Sequence, residues 1–151
     1  VVRPDGSRAG ATVVHFDPDQ DLAVLAVPQA GAGPLPIGDV EAGGTGAVFG
    51  YPGGGPLEVS PFAVQEEVEA VGRDLYDRRD TSRRVLVLAS DLAPGDSGAA
   101  IVDPAGAVVG VAFAIAPDQA GTAYALSVEE LRAALAAPRS TGGADTGPCL
   151  S

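Results

Sequence analysis

Glycine and proline recur so densely along this chain that each apolar run is cut short before it can build a long helix. With 21 Gly and 13 Pro among 151 residues, the sequence offers short strand-like runs bounded by turn residues, which predicts an all-β architecture with many turns. A single domain of this length buries about 68–70% of its unfolded surface, enough for a sizeable core. No apolar stretch here approaches the ~18 residues of a membrane-spanning helix, and no intact signal peptide lies within these residues. The one helical signal is near the end. Ser127-Val128-Glu129-Glu130 has capping-box spacing, Val128, Leu131 and Leu135 share one helical face, and Pro138 stops the helix expected over about 127–137.

The strands are read as follows. Residues 1–27 form a hairpin and strand, with a polar turn at Asp5-Gly6, then strands over 11–16 and 22–27. The Gly/Pro-rich stretch 28–44 is a connection, and residues 46–56 open a second set of strands with the run Gly50-Tyr51-Pro52-Gly53-Gly54-Gly55-Pro56. That run is no phosphate loop, because no Lys-Ser/Thr follows it and Pro56 blocks helix initiation. Residues 59–71 alternate as a long strand, and the Arg/Asp-rich tip that follows, 73–84, reads as a solvated loop, with docking or autoproteolysis as its functional alternative. Residues 138–151 are a small polar tail.

The chemistry is concentrated in Leu92-Ala93-Pro94-Gly95-Asp96-Ser97-Gly98, between the apolar runs 85–89 and 99–102. Glycines on both sides of Ser97 let the chain bend sharply and aim Oγ outward, as a nucleophile requires. The same bend turns the N–H groups of Gly95 and Ser97 towards one point, an oxyanion hole. An ordinary Gly-Asp-Ser-Gly surface turn is the alternative. Upstream, Asp21 stands between the turn-like Asp17-Pro18-Asp19-Gln20 and the buried-strand pattern of 22–27. The net charge of −11, from 20 acidic residues against 9 basic ones that are all Arg, argues against a nucleic-acid partner and suits a protein that must stay soluble outside the cytoplasm.

An Asp before a strand, Gly-Asp-Ser-Gly before another, two more strands and a terminal helix follow the order of a trypsin-like serine protease. The chain resembles chymotrypsin-fold proteases of the HtrA-like type, in which a segment like Asp21-Leu22-Ala23-Val24-Leu25 carries the triad Asp and one like Pro94-Gly95-Asp96-Ser97-Gly98 carries the Ser. It is most similar to the MarP-like membrane-anchored proteases, through Ala89-Ser90-Asp91-Leu92, Gly110-Val111-Ala112-Phe113 and the tail ending Pro148-Cys149-Leu150-Ser151. The resemblance implies a chymotrypsin-like double β-barrel. Residues 1–27 are then a remnant of the first barrel, 28–44 the inter-barrel connection, 45–137 the second barrel and C-terminal helix, and 138–151 the tail.

It further implies a serine endopeptidase with Asp21 and Ser97 as catalytic residues, Gly95 and Ser97 as oxyanion donors, a polypeptide substrate, and no cofactor or metal. Asp91 matches the base of the primary pocket, where an acid selects Arg or Lys. With Phe113, Ala114 and Ile115 at the pocket's opening it would be shallow, and a structural hydrogen-bonding role for Asp91 is the favoured reading. Ala99 and Ala100 stand where the family has Gly-Pro, which puts the local packing in question. The family's histidine segment, which lies before the Asp, has no counterpart here. The only histidine, His15, falls at a strand position that is not catalytic in the family and is read as a strand residue rather than the base.

The missing histidine, the absence of Met and the start in mid-strand lead to the expectation of a fragment that is inactive alone. Cys149 then matches the tail end of a disulfide whose partner lies upstream; a free thiol is the alternative. Extracytoplasmic location, anchoring through an upstream membrane segment, and a part in cell-envelope stress or acid resistance follow from the resemblance alone. A non-catalytic trypsin-like domain serving as a binding or scaffold module is the competing function.

Overall fold

The computed structural model describes residues 1–3, 5–28, 31 and 33–149. The expected N-terminal hairpin, the 28–44 connection and the tail therefore each include positions outside that set. Among the described residues the order is β1 (Thr12–Asp17), β2 (Leu22–Ala26), β3 (Thr45–Gly50), a 3-10 turn (Pro52–Gly54), β4 (Glu58–Arg73), β5 (Asp80–Ala89), β6 (Ala100–Val102), β7 (Val108–Ile115), β8 (Thr122–Ser127) and α1 (Val128–Ala136). The chain divides into two compact units, one of residues 1–34, 71–82 and 132–151, the other of 35–70 and 83–131. This differs from the division expected from sequence, because the β4–β5 hairpin tip and the C-terminal residues group with the N-terminal strands.

The second unit contains a closed barrel in the order β3-β4-β5-β8-β7-β6. Alternation along the strands puts large side chains opposite small ones: Leu86 pairs with Ala125 and Leu88 with Ala123 across β5 and β8. All four belong to the core, with Val48, Phe62, Val64, Ile101, Val109 and Ala112. Full burial stabilises each Leu or Ile by about 1.5–3 kcal/mol over exposure. Closure brings strands too close for a side chain at Gly46, where a Cβ would lie 2.1 Å from the Val102 carbonyl oxygen. The helix follows β8 without a loop. The expected capping box does not close through Glu130: Ser127 Oγ donates to Glu129 Oε2 at 3.0 Å, while Glu130 Oε1 accepts from the Arg84 N–H at 2.9 Å.

In the first unit β1 and β2 form an antiparallel two-stranded sheet, from Thr12 opposite Ala26 to Asp17 opposite Leu22, with a bulge between Val13 and His15. Val2 forms an isolated antiparallel bridge with Arg8. The polar tail is held to β1, for the N–H groups of Ser140 and Ala144 donate to the carbonyls of Val14 and Val13 at 2.7 Å each, and the Tyr76 hydroxyl donates to the Thr146 carbonyl. One expectation needs correction here: the hairpin tip is not simply solvated. Arg73 Nε and Nη1 bind Asp77 and Asp80 at 2.7 and 3.0 Å, and the buried Asp74 carboxylate accepts the Arg78 N–H at 2.7 Å. Arg78 also stacks 4.9 Å from the Tyr76 ring centroid.

Candidate active site

The turn between β5 and β6 is held by its own backbone and by Asp96. The Asp96 N–H donates to the Ala93 carbonyl at 3.0 Å, and the Ala93 N–H returns a 2.9 Å bond to Asp96 Oδ2. The carboxylate is buried, 5% exposed, in space that exists because position 50 is glycine: a Cβ there would lie 2.1 Å from Asp96 Oδ1. The N–H groups of Gly98 and Ala99 are also consumed, by Ala112 O at 2.7 Å and Asp96 O at 2.9 Å. Among the described residues the N–H groups of Gly95 and Ser97 have no acceptor. Two unpaired donors thus alternate with paired ones on an exposed turn, the supply an oxyanion hole needs.

Gly95 has φ 108, in the region that favours glycine. It lies against the loop after β3, where a Cβ would be 2.6 Å from the Tyr51 carbonyl oxygen and 2.7 Å from Gly53 N. The Gly53 N–H donates to Pro94 O at 2.7 Å. Residues 51–54 therefore buttress the turn that bears Ser97. Their glycine content was visible in sequence; the contact with Pro94 and Gly95 is tertiary and left no local signal. Ala99, whose methyl was expected to disturb packing, is 9% exposed and joins the core cluster.

Ser97 Oγ donates to the Phe113 carbonyl at 3.3 Å. Beside it lies a cavity of about 250 Å³, walled by residues 92–94 and by Ala112, Phe113, Ala114 and Ile115, with Asp96 and Ser97 completing the lining. Ser97 thus shares this cavity with Phe113, Ala114 and Ile115, while Asp91 is not among its lining residues. Asp91 lines a separate depression with Ser60, Pro61, Ser90 and Gly121. Its carboxyl oxygen Oδ1 would lie 3.6 Å from a Cβ placed at Gly121.

Asp21 lies in the first unit, closing the β1–β2 turn at φ 55, the left-handed region that Asp tolerates better than most residues. The turn is shaped by Asp17 Oδ1, which accepts from the N–H groups of Asp19 and Gln20 at 2.9 and 3.2 Å. His15 sits within β1 opposite Val24. Cys149 is an exposed free thiol. Among the described residues no cluster of His, Cys, Asp and Glu could hold a metal ion, and no helix is long and apolar enough to cross a membrane.

Residues 1–111 match the trypsin-like peptidase domain, and the chain belongs to this family of serine proteases with a chymotrypsin-like fold. Among relatives it is 39% identical over 145 residues to serine protease Rv3671c of Mycobacterium tuberculosis strain H37Rv, and equally to serine protease MT3772 of strain CDC 1551. These matches take in 93% of this chain and 36% of each relative, so the chain spans about a third of the length of these proteins. The active form of the M. tuberculosis Rv3671c protease superposes with a TM-score of 0.89 at 36% identity, over 95% of this chain and 64% of that one. An inactive form of that protease gives 0.77 over 87% of this chain and 67% of that one. The HtrA-type protease AlgW with a tripeptide gives 0.70 at 26% identity, over 89% of this chain and 44% of that one.

Proposed function

We propose that this chain supplies the nucleophile and the orienting acid of a serine endopeptidase, and that the general base is a histidine outside these residues. In this reading Ser97 Oγ attacks the peptide carbonyl, the histidine takes its proton, and Asp21 holds the imidazole and stabilises its charged form without itself becoming protonated. The N–H groups of Gly95 and Ser97 receive the oxyanion, each worth about 3–4 kcal/mol in the transition state. The observation that carries the reading is that these two donors, on the turn that bears Ser97, are unpaired while their neighbours are bonded. The hydroxyl's bond to Phe113 O is a resting position, exchanged for the base when substrate binds.

The apolar walls of the cavity favour an uncharged, small to medium apolar residue before the scissile bond. Without its base the isolated chain is inactive: loss of the triad histidine costs about 10⁶-fold, leaving roughly 10³–10⁴ over water. The wider setting is proposed on the likeness to Rv3671c and on the resemblance set out above. It comprises an extracytoplasmic, membrane-anchored protease acting in envelope or acid stress, with Cys149 tied by a disulfide to an upstream segment. One observation favours the non-catalytic alternative, that the only histidine is engaged in a strand.

Intact-mass analysis after fluorophosphonate treatment tests the proposal, with Ser97→Ala as control. The natural full-length protein should take up one adduct that the control lacks, and the isolated chain none. Absence of adduct on the full-length protein favours the binding module, and an adduct on the isolated chain shows that no outside base is required.

A further inference from the structure

We propose that the β4–β5 hairpin tip is a clamp that fixes the turn presenting Asp21, with Arg79 as a positioning residue; this rests on the reading of Asp21 as the triad acid. Three successive residues before Asp21 are each tied to the tip. The Leu75 N–H donates to Pro18 O at 2.9 Å. Arg79 grips Asp19 with both arms of its fork, Nε to Oδ1 at 2.8 Å and Nη2 to Oδ2 at 2.6 Å. Thr81 Oγ1 donates to Asp19 O at 3.2 Å, and Gln20 Nε2 to Ser82 O at 3.4 Å.

Stability alone does not account for this arrangement. The Arg79 side chain is 63% exposed, and exposed ion pairs contribute little to folding. A bidentate fork fixes direction as well as distance. The Asp19 carboxylate raises the Arg79 guanidinium above its ordinary value. Asp74 accepts the Arg78 N–H, its own N–H binds Arg79 O at 3.0 Å, and its carboxylate lies 3.8 Å from Arg79 Nε. The clamp is therefore organised from within.

The turn also shows signs of being held. Asp21 keeps a φ of 55, a conformation that persists in a non-glycine residue when its surroundings over-determine it. Gln20 Oε1 is buried with no partner among the described residues, so the turn does not simply follow its own hydrogen-bonding preference. A triad acid must hold the imidazole in place, and a displacement of about 1 Å costs up to about 10²-fold in rate. Slackening the turn should therefore act on kcat through Asp21.

The experiment uses the natural full-length protein and a peptide substrate, comparing Arg79→Ala, Arg79→Lys, Asp21→Asn and the Asp19→Arg/Arg79→Asp exchange. Arg79→Ala should lower kcat by about tenfold or more with KM unchanged. It should also move the acid limb of the pH–rate profile to lower pH, because a misplaced Asp21 stabilises the imidazolium less. Arg79→Lys, which keeps the charge but not the fork, should fall between. Asp21→Asn should cost about 10⁴-fold, and adding Arg79→Ala to it should cost nothing more.

A large Asp21→Asn loss with an unaltered kcat and acid limb in Arg79→Ala overturns the clamp and leaves the triad reading standing. An unaffected Asp21→Asn enzyme overturns the triad reading and the clamp with it. If Arg79→Ala does not fold, the exchange carries the test against Asp19→Arg alone: recovery of kcat supports the clamp, and its absence refutes it.

Discussion

Gly95 combines two constraints that no other residue type meets. Its φ of 108 is closed to L side chains at modest cost, and its missing Cβ is the space occupied by the Tyr51 carbonyl. Gly95→Ala must push the turn away from the loop and tilt the N–H proposed to receive the oxyanion, so acylation of the full-length protein by a fluorophosphonate should slow by about 10²–10³-fold. Asp96 acts on shape. Asp96→Ala leaves the Ala93 N–H without its acceptor and should lower the unfolding free energy by about 1–3 kcal/mol in urea titration. At this scale the turn itself was legible, because glycines around a serine permit the sharp bend that Gly95 and Gly98 make at positive φ. Asp91 was less legible: spacing from Ser97 gives its position in the chain, but the depression it lines with Ser60, Pro61 and Gly121 is formed by residues far apart in sequence.

Strands were legible because a period of two with small residues opposite large ones has few other solutions. Leu88 illustrates the dependence: fully buried against Ala123, its replacement by Ala should cost about 2–5 kcal/mol, read from denaturant unfolding. The hairpin tip was not legible, since Arg79 and Asp19 are separated by 60 positions and an Arg/Asp-rich segment looks the same whether solvated or paired. Its pH response follows from Asp74, which the Arg78 N–H holds below its ordinary value of 3.8. A carboxylate with a depressed folded-state value contributes stability above the unfolded value and loses it as pH falls through the folded one. The tip should therefore stay intact at pH 5 and loosen only below pH 3.8. Carboxyl chemical shifts recorded by NMR across that range check this, and a midpoint for Asp74 above 3.8 contradicts it.

On the scale of the molecule, the charge of −11 sets like charges against one another, while Arg73 and Arg79 form attractive pairs with Asp77, Asp80 and Asp19 at the hairpin tip. Salt weakens both. Repulsion is summed over the whole surface and the exposed pairs contribute little, so screening should raise the thermal midpoint between low ionic strength and 0.15 M, where the Debye length is about 8 Å. A midpoint that falls with salt, followed by scanning fluorimetry, would mean that the tip pairs dominate. The all-β class was readable from composition, but the grouping of chain ends and hairpin tip was not, because it depends on main-chain bonds such as Ser140 to Val14 that favour no residue type. The turn that bears Ser97 meets its supporting loop in the same way, through Gly53 N, Pro94 O and the Tyr51 carbonyl, whereas the cavity beside it is bounded by replaceable side chains such as Leu92 and Ile115. Under the proposed function, selectivity and rate are thereby written in different materials: a lineage, or a protein engineer, can redraw what the site accepts while the turn that bears Ser97 is inherited unchanged.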